Sequence, residues 1–404
     1  MIGTERLRAQ QRNRLPEGGR IDRGEPRFFT FAGRRMMGYA GDTLASALLA
    51  NGVDVVGRSF KYARPRGIMT AGVEEPNAIL QLGHDPARTV PNIRATEQML
   101  FEGLVANPVN GWPSAENDAM GIVGRLAGSL MTPGFYYKTF MFPKSRWETY
   151  ERFIRKAAGL GRAPSAPDPD TYDYINRHVD VLVVGAGPAG LLAALAAARA
   201  GARVLLADER EEPGGALLHG GETIDGRAAM DWVADVIAEL DASPGVTRLA
   251  RATVNGYHDH DFLTIRERRT DHLPNGAGGR RTRQRMHRVR AGAVVLASGA
   301  HERPLVFANN DLPGCMTASA VSHYIHRFAV VPGERLVVAT ANDSGYAAAV
   351  DWLDAGREVV AVVDARREPD GTAHETARRR GIRVISGSVV VEARRGAGGK
   401  RVGG

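Results

Sequence analysis

The chain has 404 residues, of which 43% are hydrophobic and 24% are charged, so two or three folded domains are expected and a disordered protein is not. Its formal net charge is +8, but only five of its 53 basic residues are lysines and the arginines are dispersed from Arg6 to Arg401, which disfavours a nucleic-acid-binding face. Cys315 is the single cysteine, and one thiol cannot form an internal disulfide, a four-ligand zinc site or a four-thiolate 2Fe–2S site.

No targeting or membrane segment is recognised in the sequence. The first 25 residues have mixed charges and lack the apolar stretch of a secretory signal. The longest uncharged run, residues 181–198, contains Gly-Ala-Gly-Pro-Ala-Gly, which favours a strand, a turn and a helix over a membrane span. We therefore expect a cytoplasmic protein with neither a membrane nor nucleic acid as partner.

The N-terminal part predicts a ferredoxin-like β-grasp module over residues 25–105. Residues 27–41 predict a β-hairpin, and Asp42 is placed to cap a helix that ends at Asn51-Gly52. The basic loop GRSFKYARPRGIMTAG, residues 57–72, stands where a plant-type ferredoxin holds its cluster, yet it contains no cysteine. The module is thus expected to lack an iron–sulfur cluster.

Residues 106–170 are interpreted as a connecting segment that ends in a linker. PGFYYKTFMFPKSRW, residues 133–147, is aromatic and basic, which is typical of a packed connection. APSAPDPD, residues 163–170, is a linker by its proline content.

A complete βαβ unit opens the predicted dinucleotide-binding domain, residues 171–305. VDVLVV is typical of a buried parallel strand, GAGPAG of a turn, LLAALAAARAG of a helix and ARVLLAD of the second strand. The same order recurs in residues 334–366, within a second nucleotide-binding-like domain assigned to 306–404. The predicted fold class is α/β, a β-grasp module followed by a Rossmann-type two-dinucleotide-binding-domain fold that is C-terminally incomplete.

Nine arginines lie in residues 266–290, between these two βαβ units. They are compatible with an RNA-binding loop or with a solvated hairpin of a β-meander. The hairpin is favoured because no aromatic platform accompanies the charges.

The GAGPAG turn predicts contacts to a dinucleotide. Gly185 permits the tight turn, Gly187 lets the backbone approach a pyrophosphate, and Gly190 lets the helix pack against the strand. Asp208, 23 residues after Gly185, ends the second strand, where a carboxylate accepts from an adenosine ribose hydroxyl and favours NAD or FAD over NADP. The predicted cofactor-binding residues are Gly185, Gly187, Pro188, Ala189, Gly190, Asp208, Glu209, Gly214, Gly215, Val254, Ser298, Gly299 and Ala300.

The second βαβ unit departs from this pattern. Its turn, TANDSGYAA at residues 340–348, has one usable glycine. Two interpretations are equally open. A nucleotide is bound by Asn342, Asp343 and Ser344, or the fold is degenerate and is kept for packing.

No catalytic residue and no metal site are predicted. His301, with Glu302 and Arg303, fits the polar end of a strand better than a functional trio. Cys315 is interpreted as a packing residue, because no basic partner stands beside it in the sequence.

Seven segments together resemble the α subunits of heterotetrameric sarcosine oxidases, from about Leu15 to about residue 390. They are RLPEGGRIDR, GYAGDTLASALLANGV, RSFKYARPRGI, GFYYKTFM, DVLVVGAGPAGL, TDHLP and GAHERPLVFANNDLPG. In that family the front module resembles a ferredoxin that has lost its cluster, whereas opine and amine dehydrogenase relatives keep the cysteines. The resemblance implies that the module is retained as an assembly surface.

The resemblance also implies a function that is shared among several chains. The α subunit carries NAD, while FAD and FMN are held by the partner β subunit or at its interface with α, and γ and δ subunits complete the enzyme. Sarcosine is oxidised to glycine with formation of hydrogen peroxide and a one-carbon unit. A C-terminal folate-binding domain of α receives that unit, and this sequence stops before such a domain.

Two alternatives remain open from the sequence. The chain could be a non-enzymatic scaffold that holds NAD permanently, or the α subunit of an opine- or hydroxyproline-type amine dehydrogenase. Exchange or reduction of NAD during turnover would separate the scaffold from the enzyme. The amine substrate is not deducible, because its site is expected in another chain.

Overall fold

A computed structural model describes residues 2–60, 62–119, 121, 142–274 and 277–403. The aromatic segment GFYYKTFM, which belongs to the predicted packed connection, lies outside the described residues. The chain divides into two compact units, Met1–Asp168 with Arg303–Gly404, and Pro169–Glu302. No helix in the described part of the chain is long and apolar enough to span a membrane.

A five-stranded sheet forms the N-terminal part of the first unit. In spatial order its strands are β2 Arg34–Ala40, β1 Asp22–Phe31, β7 Leu104–Pro108, β5 Ile79–Leu82 and β6 Val90–Arg94. Strands β1 and β2 are antiparallel, and Ala32 and Gly33 between them have φ of 49° and 76°. Two positive φ values in a two-residue turn are those of a type I′ hairpin, so the predicted hairpin is confirmed.

Short elements complete this part of the first unit. They are α1 Ile2–Ala9, α2 Leu44–Ala50, β3 Gly57–Arg58, β4 Pro65–Arg66 and α3 Trp147–Ala158. Strands β3 and β4 form a small hairpin inside the basic loop.

The cap of α2 differs from the prediction. Thr43, not Asp42, is the N-cap, and its hydroxyl accepts from Ser46 N at 3.1 Å while the Ser46 hydroxyl accepts from Thr43 N at 3.0 Å. Asp42 is fully buried and binds the Arg14 guanidinium at 2.6 Å. The Asp42 carboxylate also accepts from Ser46 Oγ at 2.6 Å and from Tyr39 N at 2.9 Å, so it supports the first turn without being the N-cap.

The remainder of the first unit is a second α/β layer, as predicted for residues 334–366. Its parallel sheet has the order β16 Arg335–Thr340, β17 Glu358–Asp364 and β18 Val384–Ile385. Its helices are α6 Ala318–Phe328, α7 Ser344–Asp354 and α8 Thr372–Arg379. Tyr324 and Phe328 of α6 are buried in one core with Leu44 and Leu48 of α2, so this layer and the N-terminal sheet share apolar packing.

The second unit contains a six-stranded sheet. In spatial order its strands are β12 Val246–Leu249, β9 Val204–Ala207, β8 Tyr172–Val184, β15 Gln284–Leu296, β14 Phe262–Arg268 and β13 Ala252–His258. Its helices are α4 Pro188–Arg199 and α5 Ala229–Ala242, and a two-stranded ribbon pairs β10 Thr223–Ile224 with β11 Arg227–Ala228.

The order of these strands confirms the predicted βαβ unit and the meander. Strand β8 is parallel to β9 and to β15, whereas β14 is antiparallel to β13 and β15. Five of the nine arginines in residues 266–290 therefore lie on paired strands: Arg266, Arg268, Arg285, Arg288 and Arg290. One apolar core packs α4 and α5 against the sheet, and a second is formed by strands alone.

Candidate functional site

The turn between β8 and α4 is shaped by two glycines. Gly185 has φ of 102°, and a Cβ there would collide with the carbonyl oxygen of Ala297. A Cβ on Gly190 would collide with the carbonyl oxygen of Gly185. Strand, turn and helix thus approach one another at distances that a side chain would prevent.

A second glycine loop crosses this turn. Gly214 N donates to Ala186 O at 2.8 Å, and a Cβ on Gly215 would lie 2.7 Å from the Cα of Gly187. Gly187 is also the N-cap of α4 and brings no capping side chain, while Pro188 occupies the first turn. The glycine backbones of these two turns therefore border the N-terminus of α4, which carries the positive end of the helix dipole. Such a site suits a pyrophosphate.

Asp208 is fixed beside the turn by backbone N–H groups. Its Oδ2 accepts from Ala186 N at 2.6 Å and its Oδ1 accepts from Arg210 N at 2.7 Å. A carboxylate offers about four lone-pair positions, so both oxygens keep capacity for a further donor. Such an oxygen can accept from a hydroxyl group.

The other predicted site residues lie on the same edge of the sheet or close to it. Ala189 is exposed on the first turn of α4, and the carbonyl of Glu209 accepts from Arg268 Nη2 at 3.0 Å. Val254 lies on β13, two residues after Ala252, whose N–H donates to Asp208 O at 2.7 Å. Three exposed residues directly follow Ala297 at the end of β15: Ser298, Gly299 and Ala300.

Basic side chains near Asp208 were missed by the sequence analysis. Arg210 Nη1 lies 3.1 Å from His219 Nε2, and Arg210 O accepts from Arg251 N at 2.9 Å. Burial, and then the charge of Arg251, lower the pKa of His272. The sequence signal for this cluster is Arg210, two residues after the strand-ending acid.

The corresponding acid of the second βαβ unit has different partners. Asp364 is fully buried and accepts from Tyr346 Oη at 2.7 Å and from Arg366 Nη2 at 2.8 Å. Arg366 Nη2 also binds Asp343 Oδ1 at 2.8 Å. Burial raises the pKa of Asp364, but the hydrogen bonds from Arg366 and Tyr346 outweigh it and leave that pKa lowered.

Two residues considered for catalysis have no activating surroundings in the described part of the chain. His301 is exposed beyond the end of β15. Burial raises the pKa of the Cys315 thiol, which disfavours the nucleophilic thiolate. No group of three or more metal-ligating side chains occurs among the described residues.

Two protein families match the chain. Residues 179–402 match the pyridine nucleotide-disulphide oxidoreductase family, which covers the GAGPAG turn and both βαβ units. Residues 27–111 match the 2Fe-2S iron-sulfur cluster binding domain. The matched N-terminal segment contains no cysteine.

Several relatives are alpha chains of sarcosine oxidase. The chain is 51% identical to that of Rhizobium meliloti (strain 1021) over 354 residues, or 87% of this chain and 36% of the relative. It is 43% identical to that of Corynebacterium sp. (strain P-1) over 374 residues, or 92% of this chain and 34% of the relative. The chain thus spans about a third of the length of these relatives.

More distant likenesses are found as well. An opine oxidase subunit of Agrobacterium tumefaciens (strain Ach5) is 33% identical over 195 residues, 47% of this chain and 37% of the relative. The crystal structure of L-proline dehydrogenase from P. horikoshii superimposes with a TM-score of 0.56 at 18% identity, over 89% of this chain and 57% of that one. This superposition supports the two-part fold.

Proposed function

Since the chain belongs to the pyridine nucleotide-disulphide oxidoreductase family, we propose that it is the NAD-binding part of a sarcosine oxidase α subunit. Support comes from the 40–51% identity to three such subunits, over 87–99% of this chain. The likeness to the opine oxidase subunit is lower, at 33%, and covers half as much of the chain.

The position of Asp208 carries the choice of NAD. Its carboxylate is held beside the turn by two short backbone hydrogen bonds, so its negative charge cannot swing aside. A ribose 2′-phosphate at this position would meet like charge, whereas a 2′-hydroxyl would donate to it. Binding of NAD is therefore favoured over NADP.

The other residues of the site have positioning roles. Gly187 and Gly215 admit the pyrophosphate between their backbones, and the N–H groups of Ala189 and Gly190 at the start of α4 face its charge. Ser298, Gly299 and Ala300 border the remaining side of the cofactor. Bound NAD would supply a nicotinamide that accepts or donates hydride.

Oxidation of sarcosine itself is assigned to other parts of the assembly. In this proposal FAD and FMN are held by a partner β subunit or at its interface with this chain, and γ and δ subunits complete the enzyme. The cluster-free N-terminal module serves as an assembly surface. Hydrogen peroxide, glycine and a one-carbon unit are the products.

The cofactor assignment is tested by measuring NAD content and affinity in an Asp208→Ala variant. Loss of a hydrogen bond to a charged group costs about 1.5–3 kcal/mol, or roughly tenfold or more in affinity. Asp208→Asn separates the effects of charge and of backbone support, because its amide oxygen can still accept from one N–H. Asp259→Ala, at an exposed acid between β13 and β14, is the control and should retain NAD.

Two results would contradict the assignment. The first is release of FAD instead of NAD from the denatured wild-type chain. The second is an unchanged NAD affinity in Asp208→Ala. Assay of the complex co-expressed with its partner subunits against sarcosine and opines would separate the two enzyme assignments, and exchange of labelled NAD during turnover would separate an enzyme from a scaffold.

A further inference from the structure

A polar cavity of about 150 Å³ lies in the first unit, away from the GAGPAG turn in sequence. Its charged and aromatic lining residues are Arg58, Tyr62, Arg64, Asp118 and Arg395. A water molecule has a share of about 30 Å³ in the liquid, so the cavity has room for a polyatomic ligand. None of the predicted dinucleotide-binding residues lines it.

Arg58 is held rigidly at this cavity by neutral acceptors. Its Nε, Nη1 and Nη2 donate to the carbonyl oxygens of Ala115, Ala63 and Glu116 at 2.5, 3.2 and 2.9 Å. Carbonyl oxygens orient a guanidinium but do not cancel its charge. Three of its five N–H groups are used in this way, which leaves two for a ligand.

Arg64 is oriented by a shared carboxylate. Its Nε and Nη2 bind the two oxygens of Asp311 at 2.7 and 2.5 Å, and Nη2 also donates to Asn309 Oδ1 at 2.9 Å. Arg66 binds the same carboxylate of Asp311. The two N–H groups on Arg64 Nη1 have no acceptor within the described residues.

The balance of charge around the cavity is positive. Arg58, Arg64 and Arg395 line the cavity together with the carboxylate of Asp118. Behind this lining, Arg66 shares the Asp311 carboxylate with Arg64. These four arginines and two carboxylates leave two positive charges among the described residues. Burial and then the neighbouring Arg64 lower the pKa of Arg66. Burial lowers the pKa of Arg58; the nearby Asp118 carboxylate raises it, and Arg395 lowers it further. An anion in the cavity would relieve this repulsion.

We propose that this cavity binds a phosphate group, either free or as a monoester. A phosphate monoester carries about 1.5 to 2 negative charges at neutral pH, which matches the two positive charges, and its oxygens can accept from the four N–H groups of Arg58 and Arg64. A carboxylate would supply one charge only. Tyr62, whose side chain is 46% exposed, offers an aromatic ring to the group esterified to the phosphate.

The test is calorimetric titration of the full chain with inorganic phosphate, phenyl phosphate and benzoate at low ionic strength, in the presence of saturating NAD. Saturable binding of a phosphate compound, weakened by added NaCl and stronger than binding of benzoate, is expected. Arg395→Gln should weaken that binding about tenfold or more. Arg394→Gln removes a neighbouring charge that is 80% exposed and does not line the cavity, so it should leave binding unchanged.

The Asp118→Asn variant should change the affinity for phosphate in the opposite direction. It removes the carboxylate from the cavity lining while its amide oxygen can still accept from Trp112 N, so phosphate should bind more tightly. Phosphate binding to Asp118→Asn tests the proposal even if Arg395→Gln fails to fold. Absence of saturable phosphate binding, binding of benzoate as tight as that of phenyl phosphate, or indifference to both Asp118→Asn and Arg395→Gln would each overturn the proposal.

Discussion

Asp208 and Asp364 occupy equivalent positions, each at or just beyond the end of the second strand of a βαβ unit, but they are satisfied by different donors. Asp208 accepts from backbone N–H groups and is half-buried, so it retains capacity towards solvent. Asp364 is fully buried and is closed off by the side chains of Tyr346 and Arg366. We therefore expect a single dinucleotide, bound beside Asp208.

His272, near that site, is expected to make the free energy of unfolding depend on pH. Burial lowers the pKa of His272 below its unfolded value of about 6.5, so the unfolded chain takes up a proton first as the pH falls. The stability contributed by neutral His272 is thus present above about pH 6.5 and is lost below it. His272→Gln should unfold with a smaller loss of stability between about pH 7.5 and about pH 5.5 in urea titrations.

The control for His272→Gln is the same substitution at an exposed histidine. His258 is exposed on β13, and His258→Gln should keep the pH dependence of the wild type. Equal slopes for all three proteins would show that His272 is not held neutral by the fold.

A buried carboxylate orders part of the basic loop of the N-terminal module and the turn that follows it. Glu75 is 1% exposed, and one of its oxygens accepts from Met69 N and Thr70 N at 2.9 and 2.7 Å. Its other oxygen accepts from Asn77 N and Ala78 N at 2.8 and 3.0 Å. Four backbone donors thus converge on a single side chain.

Glu75→Gln should destabilise this module. An amide has one accepting oxygen, so its NH₂ group would face two backbone donors, at a cost of roughly 1–3 kcal/mol for each unsatisfied group. Urea unfolding of the full chain measures the loss. Glu74→Gln makes the same chemical change at the adjacent, half-buried residue and should cost less than about 0.5 kcal/mol; equal losses in the two variants would contradict the assigned role.

In the molecule as a whole, a segment matching a 2Fe-2S cluster binding domain is combined with a dinucleotide-binding fold. The single cysteine, Cys315, lies outside the matched residues 27–111. Among the described contacts that join that module to the rest of the first unit are apolar packing and the pairing of Arg64 and Arg66 with Asp311.

The purified chain is expected to contain neither iron nor acid-labile sulfide in stoichiometric amount, because a 2Fe–2S cluster needs four ligands and one thiol cannot supply them. Colorimetric iron and sulfide assays on protein purified without oxygen measure both. A variant with Cys315→Ser provides the control and should give the same values. A stoichiometric cluster in the wild type would show that ligands other than cysteine thiolates hold it.

Local patterns in the sequence were sufficient for most of the fold. Uniformly apolar runs beside GAGPAG identify parallel strands and a helix, since such strands are covered on both faces, and Ala32-Gly33 marks a hairpin turn by its conformational freedom. Gly185 and Gly190 are recognisable from spacing alone. Gly190 approaches Gly185 within one βαβ unit, whereas Gly185 approaches Ala297 beyond β15, a contact that the spacing does not reveal.

Contacts between distant residues depended on the folded chain. Arg14 pairs with Asp42, the residue before the Thr43 cap, although 28 residues separate the pair. Arg66 and Asp311 are 245 residues apart, and the same Asp311 carboxylate orients Arg64 at the cavity. Periodicity reports which face of a segment is buried but not which segment covers it, so the partners of these charged groups are set by tertiary packing.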